Sequence, residues 1–302
     1  MIGPEDERVR PARGPGFGEA VTFAWGDAEQ ELFGTARLGL SPGEPASVTG
    51  LSLLFGDGKP VATVTEQADV HSPDWRQLSA GSLSTATLTP LERWEIALVA
   101  PEGGFELELF ALCAPAELGE ESAAARASGL HGYEQLCAVR GTVRVGEEAF
   151  TVDCLGQRGH QWGVPDWERL ALTRTVSAWL EPDLAVGLSA VREAGAEDHE
   201  EEELSAWVVQ PVAADAEEAA RPAPTPVAEP RLSTVYDGEG RQRRAGLELW
   251  VGAEDDFPRR AAGDAVCGAS LALGRLRLDA AFFSWRMEGH TGVGRYEVLR
   301  RA

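Results

Sequence analysis

Between Gly156 and Trp167 the chain gathers Arg158, His160, Trp162, Asp166 and Trp167 in twelve residues, with three glycines among them. An imidazole with an ordinary pKa near ~6.5 serves as acid or base at neutral pH. A carboxyl held in an apolar cavity keeps its proton and can donate it. His160 and Asp166 are therefore candidate catalytic groups, and Tyr133 and Tyr296, scarce residues in strand-like surroundings, join them. Trp162 and Trp167 offer indole faces to a ligand or a developing cation, while Arg158, Arg174 and His290 offer polar tips. Each also has a structural alternative. His160 would then be a packed, hydrogen-bonded histidine, Asp166 the ion-pair partner of Arg158 or Arg174, and the tyrosines and His290 satisfied core groups.

Other chemistries find no pattern to carry them. Cys113, Cys137, Cys154 and Cys267 are widely spaced and form no CxxC pair, so no metal site is expected and the thiols read as small buried side chains in a reducing compartment. GxxxxGK[ST], a GxGxxG after a strand, GxSxG and HExxH are all missing. A net charge of −22 repels phosphate backbones and anionic membrane surfaces, which argues against nucleic acid as a partner. Apolar runs are only a few residues long, so no membrane insertion is expected. With no apolar leader after Met1, a cytoplasmic location is the expectation.

The elements that must position these groups are strands. Phe105, Leu107 and Leu109 alternate with Glu106 and Glu108, and Leu276, Leu278, Ala280 and Phe282 with Arg277 and Asp279. That period of two marks a sheet with one buried face. Similar runs recur from Val21–Trp25 to Val293–Leu299, separated by turn signals such as Gly56-Asp57-Gly58. The fold class is all-β, barrel or sandwich. Glu117–Ser128, rich in alanine, predicts a short surface helix. Leu170–Leu180 fits helix or strand, and on the strand reading Arg174 points to the apolar side. Glu197, Asp198 and Glu200–Glu203 read as a solvated loop. Residues 211–230, dominated by Ala, Pro and Glu, read as a mobile loop. The length of 302 residues suggests two domains, divided as 1–145 and 146–302.

Tyr133, Glu134, Gln135, Gly156, Arg158, His160, Trp162, Gly163, Asp166 and Trp167 together resemble a motif of the two-domain lipocalin-like, calycin-related clan. That clan holds AttH-like proteins, carotenoid 1,2-hydratases (hydroxyneurosporene synthases), lipocalin-like Diels–Alderases and many actinobacterial proteins. Gly292–Glu297 resembles its closing strand. The chain departs at Gly159, where the clan usually has an acid, and at Pro165, where arginine is common. The resemblance implies two lipocalin-like antiparallel β-barrel domains packed against each other, with an apolar cavity in or between them.

Fold and clan leave function open. The first expectation is intracellular binding of an apolar small molecule, isoprenoid, lipid or polyketide-like. The alternative is a hydratase, cyclase or isomerase of a hydrophobic unsaturated substrate, using one cavity acid and needing no nucleotide or metal cofactor. A third reading leaves the barrels filled and makes the protein an interaction partner only. An enzyme requires an ionisable group beside a cavity, a carrier only the cavity, and an interaction protein neither.

Overall fold

The computed structural model describes residues 2–196, 202–211 and 221–302. Among them the chain forms twenty strands and one short α-helix. A 3-10 turn at Pro4–Glu7 precedes β1 (Gly18–Asp27), β2 (Leu32–Ser41), β3 (Ala46–Gly56), β4 (Lys59–Val70), β5 (Leu78–Ala80) and β6 (Leu83–Thr89). Then come β7 (Arg93–Val99), β8 (Gly103–Ala111), β9 (Ala116–Leu118), α1 (Ala123–Ser128), β10 (Leu130–Val145) and β11 (Glu148–Gly163). The rest comprises β12 (Leu170–Glu181), β13 (Leu184–Glu193), β14 (Glu203–Val209), β15 (Thr225–Pro226) and β16 (Glu229–Tyr236). It closes with β17 (Gln242–Trp250), β18 (Arg259–Leu273), β19 (Leu276–Met287) and β20 (His290–Arg301).

Two antiparallel sheets account for all of them, and both are lipocalin-like barrels, as the sequence resemblance implies. The first runs β4-β3-β2-β1-β11-β10-β8-β7-β6-β5, with β9 added to β10. Its two ends, β4 and β5, come together, so the barrel is nearly closed. The second runs β15-β14-β13-β12-β20-β19-β18-β17-β16 and curls until β16 approaches β14. Closure of this kind hides strand edges that would otherwise pair with other chains.

The compact units are Met1–Glu117 with Leu130–Val164, and Leu118–Gly129 with Pro165–Ala302. The division at 145/146 suggested by the sequence falls in the tight turn between β10 and β11. Those two strands pair without a break from Leu130–Gly163 to Val145–Glu148, which keeps both in the first unit. The chain passes to the second unit at Val164–Pro165 instead. Residues 221–230 also depart from a mobile loop. Thr225 and Pro226 pair with Val208 and Trp207, and Glu229 and Pro230 begin β16. Residues 212–220, like most of the acidic run and His199, lie outside the described residues.

The first core is lined by alternate residues of each strand. Val21, Phe23 and Trp25 of β1 meet Cys137, Val139 and Val143 of β10 and Val152 of β11. In the second, Val176, Ala178 and Leu180 of β12 face Phe283, Trp285 and Met287 of β19 and Tyr296 and Val298 of β20. The ambiguous 170–180 stretch is thus a strand, because its apolar residues share the parity that faces this core. The predicted helix is real but shorter. Ser122 caps it by accepting from the Ala125 N–H at 3.3 Å, and Gly129 ends it in the left-handed region.

The closing strand shows why Gly294 stands where it does. A Cβ there would lie 1.9 Å from the Ser177 carbonyl oxygen of β12. The ladder between β12 and β20 is interrupted between Val176–Tyr296 and Trp179–Val293, so the backbones crowd at this point. Gly294→Ala is expected to cost about 3 kcal/mol, because the obstacle is backbone that cannot rotate away. Urea denaturation measures it, and a loss under about 0.5 kcal/mol, the level of an innocuous surface change, would disprove the crowding.

Candidate functional site

The phase that turns Val21, Phe23 and Trp25 inward also turns Glu19 inward, and the same parity places Tyr133 and Gln135 of β10 and Arg158, His160 and Trp162 of β11 inside the first barrel. The register assembles them in rows. Val21 and Tyr133 flank His160, Phe23 and Gln135 flank Arg158, and Glu19 and His131 flank Trp162. Each row draws on three adjacent strands, so a polar patch is built into one stretch of an otherwise apolar wall.

The chain before β1 completes it. Glu7, from the Pro4–Glu7 turn, lies inside with only 5% of its surface exposed, against 3% for Glu19, 1% for Tyr133 and none for Arg158 or His160. Its carboxylate accepts from the Tyr133 hydroxyl at 2.9 Å and from Arg158 Nη2 at 2.7 Å. His160 Nε2 lies 2.6 Å from Glu19 Oε1, and its Nδ1 is 3.3 Å from the Tyr133 oxygen. The Arg10 N–H donates to the other Glu19 oxygen at 2.9 Å. A continuous chain of polar contacts therefore runs Glu19–His160–Tyr133–Glu7–Arg158.

Aromatic rings enclose this chain. Trp75 and Trp162 stand edge-on to His160, each with ring centroids 5.6 Å away. The Arg158 guanidinium lies 5.1 Å from the Trp94 centroid and 5.0 Å from that of Tyr133. Arg10 covers Trp162 from 3.4 Å. Such contacts are worth most where water is excluded.

Burial and charge set the protonation states. Burial lowers the His160 pKa from its ordinary 6.5; the Glu19 carboxylate opposes this without reversing it, so the imidazole is neutral in the folded protein. The short contact to Glu19 then places the proton on Nε2, and Nδ1 is left as an acceptor facing Tyr133. Burial raises the Tyr133 pKa well above its ordinary 10, so the phenol keeps its proton. That proton has two acceptors to choose between, Glu7 Oε1 and His160 Nδ1. Burial works against the Arg158 charge, but Glu7 and Tyr133 outweigh it and the guanidinium stays charged.

The lowered His160 pKa makes stability depend on pH. The unfolded chain protonates His160 near pH 6.5 while the folded chain resists, so the folded state binds fewer protons there. Stability from this residue is full above that pH and falls as the pH drops below it, by up to about 1.4 kcal/mol per pH unit. Melting curves from pH 7.5 to 5 are expected to fall more steeply for the wild type than for His160→Gln. Parallel curves would mean that His160 takes up its proton equally in the folded and unfolded chain, with no lowered pKa, and a shallower wild-type curve would mean that it is charged in the fold.

Glu7 also borders open space. A cleft of about 640 Å³ is lined by Pro4, Glu7, Val9, Pro73, Asp74 and Thr87, among others. Trp75, between two residues of the cleft wall, turns its ring inward to His160. Glu7 is thus the member of the polar chain that reaches the cleft.

Of the candidates chosen from sequence, Tyr133, Arg158, His160 and Trp162 meet here. Arg174 and Tyr296 lie in the second unit. Arg174 Nη2 pairs with Glu202 at 2.7 Å, both side chains being 3% exposed. The Tyr296 hydroxyl is 2.6 Å from Thr234 Oγ1. Glu202 is therefore no part of a solvated run, since it neutralises the guanidinium that β12 turns inward. Asp166 is not a cavity acid and pairs with neither arginine. It lies outside the barrel and caps a turn, accepting from the Glu168 N–H at 3.0 Å. Trp167 is half-buried against Ala124, Leu170 and Val191. His290 is exposed and 3.0 Å from Glu181, which removes it from any interior. Glu7, Glu19 and Glu202 were not among the sequence candidates.

No curated protein matches the chain. Solved structures of similar fold include an AttH-like protein from Nitrosomonas europaea, 10% identical, with a TM-score of 0.66 over 95% of this chain and 93% of that one. CghA, solved with Sch210972, is 11% identical, with a TM-score of 0.64 over 95% and 89%. Kievitone hydratase from Nectria haematococca is 10% identical, with a TM-score of 0.61 over 99% and 93%. These likenesses establish the lipocalin-like architecture that the motif at residues 131–167 suggested. A family model described as a domain of unknown function, DUF7064, matches residues 3–302, and with that span the chain belongs to this family.

Proposed function

We propose that the protein binds a hydrophobic, unsaturated small molecule at the first barrel and acts on it by proton transfer, as a hydratase, cyclase or isomerase. The observation that carries this reading is the chain Glu19–His160–Tyr133–Glu7, buried along its length and ending at a cleft. A carrier needs apolar walls and space. It has no use for a neutral imidazole held between a carboxylate and a phenol, an arrangement that costs desolvation and whose chemical value lies in moving protons.

In this reading Tyr133 gives its proton to the double bond. The water or neighbouring C–H that quenches the cation releases a proton, which His160 Nδ1 takes up and returns to the phenolate, while Glu19 holds the imidazole with its other proton on Nε2. Trp75, Trp94 and Trp162 wall the site and exclude water from it, their rings already engaged by His160, Arg158 and Arg10. An acid–base step of this kind asks for no nucleotide or metal. Two of the proteins of similar fold are a hydratase and one solved with a small molecule, but at about a tenth identity the fold is all that likeness supplies. The buried thiols of Cys113, Cys137 and Cys267, none of them in a disulfide, suit a reducing, cytoplasmic setting.

The test is solvent exchange. Isoprenoid, fatty and polyketide-like alkenes are incubated with the protein in D2O, and products are read by mass spectrometry for deuterium or added water. Deuterium uptake that Tyr133→Phe abolishes supports the reading. Binding of the same compounds with no uptake by the wild type would reduce the protein to a carrier.

A further inference from the structure

Arg158 is the most deeply placed charge in the first barrel, and it is incompletely matched. A guanidinium carries five N–H donors in a planar fork that suits a carboxylate taken with both oxygens. Glu7 meets only Nη2, because its second oxygen is turned to the Tyr133 hydroxyl. Arg158 Nε and Nη1 are buried and have no hydrogen-bond partner among the described residues. Trp75 and Trp94, whose rings stand against His160 and Arg158, each keep a buried indole N–H without an acceptor among those residues. The surroundings of Arg158 thus have donors to spare and are short of acceptors.

The group that partly fills this place arrives on a segment, residues 2–17, that lies outside both sheets and whose Val9 packs against the first core. The 3-10 turn is held by Glu7 itself, by the Asp6 contacts to Gly3 and Arg10, and by Arg10 on Glu19 and Trp162. Its outer side lines the cleft. Withdrawing Glu7 would join that cleft to Arg158 and Tyr133.

We propose that Glu7 is an internal stand-in for a ligand carboxylate: the small molecule taken by this barrel is a hydrophobic carboxylic acid, whose carboxylate displaces Glu7 from Arg158 and frees the Tyr133 hydroxyl to face the rest of the ligand. Exchanging one carboxylate for another leaves the buried charge unchanged, and an untethered carboxylate can engage the Arg158 fork with both oxygens. This rests on the small-molecule reading above and adds the substrate class to it.

Two experiments on the full chain decide it. In the first, Glu7→Ala is melted in sodium acetate, with sodium chloride and acetamide at the same concentration as controls. Acetate alone is expected to raise its melting temperature, leaving the wild type unmoved. Equal effects of acetate and chloride, or none, would show that no carboxylate site exists. Should Glu7→Ala not fold, Glu7→Gln replaces it in titrations with decanoate. That variant is expected to bind about tenfold tighter than the wild type, since a weaker internal competitor leaves more protein open. Affinity equal to the wild type overturns the proposal.

In the second, hydrogen exchange of the wild type is followed with trans-2-decenoate, decanoate and decanol, each kept below aggregation. Both acids are expected to bind and to speed exchange of residues 4–10 about tenfold, as for a released segment, while decanol does neither. Decanol matching the acids, acids binding without release of the segment, or no binding at all overturns the inference. Deuterium uptake from uncharged alkenes without any carboxylate binding would sink the inference and leave the acid–base reading standing. Carboxylate binding with release of residues 4–10, but without turnover, would do the reverse.

Discussion

Arg158→Met is expected to destabilise the protein by about 3–5 kcal/mol, because it leaves Glu7 as a buried carboxylate without its cation. Glu7 is 3% exposed at its side chain and Arg158 is wholly buried, so neither charge can be rehydrated without moving the Pro4–Glu7 turn. Methionine fills much of the arginine stem's volume, which keeps the packing loss small. The paired variant Arg158→Met with Glu7→Leu is expected to recover most of the loss, since removing both charges also removes both desolvation costs. Urea denaturation of the two single variants and the pair measures the coupling. A single-variant loss below about 1 kcal/mol, typical of exposed ion pairs, would mean that the turn lifts away and Glu7 finds water. That result would also expose residues 4–10 to exchange in the variant, and so would bear on how firmly the turn is held.

His160→Gln is expected to reduce turnover by about 10²–10⁴-fold, the usual contribution of a placed acid–base group. The amide nitrogen of glutamine reaches the same Glu19 oxygen that Nε2 reaches now, so the carboxylate stays satisfied and stability should change by only about 1 kcal/mol. What disappears is the acceptor Nδ1 facing Tyr133 and the ability to titrate. Loss of turnover should therefore accompany loss of the acid limb in the stability profile, two readouts with one cause. Turnover within a factor of about three of the wild type, with stability down by several kcal/mol, would make His160 a packing residue and move the chemistry elsewhere.

The two outcomes are linked by the shape of the site. Arg158 and His160 are neighbours of like parity on β11, one holding Glu7 and the other facing Tyr133, and the Tyr133 hydroxyl touches both partners. A change at Arg158 that frees Glu7 also removes one of the two acceptors competing for the Tyr133 proton. Arg158→Met is thus expected to alter the pH dependence of any turnover as well as stability.

Much of the fold and part of the site are legible in the sequence. Alternation of apolar and charged residues in β8 and β19 identifies strands with one wet face, because side chains leave a strand on opposite sides in turn. The dense stretch marks the site by its residue types, and the structure adds the face: β11 runs on to Gly163, so Arg158, His160 and Trp162, spaced by two, point to one side. Glu19 was within reach too. It stands in phase with Val21, Phe23 and Trp25, but reading β1 as starting at Val21 left it outside. Asp166 shows the limit of sequence proximity. It is only a few residues from His160, yet β11 ends at Gly163, and Asp166 belongs to the turn that leads on to β12.

By itself, then, the sequence determined the all-β class, the gathering of Tyr133, Arg158, His160 and Trp162 as candidates in one motif, and the net negative charge of the chain. Those properties are local or additive, and period and charge can be counted along a chain. Only the tertiary structure decided which carboxylates meet which cations. Glu7 lies 151 residues from Arg158 and belongs to no strand, so no period refers to it. Glu202 sits in a run of acids that looks uniformly solvated, and what distinguishes it is the guanidinium that β12 turns inward. Buried charge must find its partner wherever closure of the barrel brings one, and closure is a property of the whole sheet.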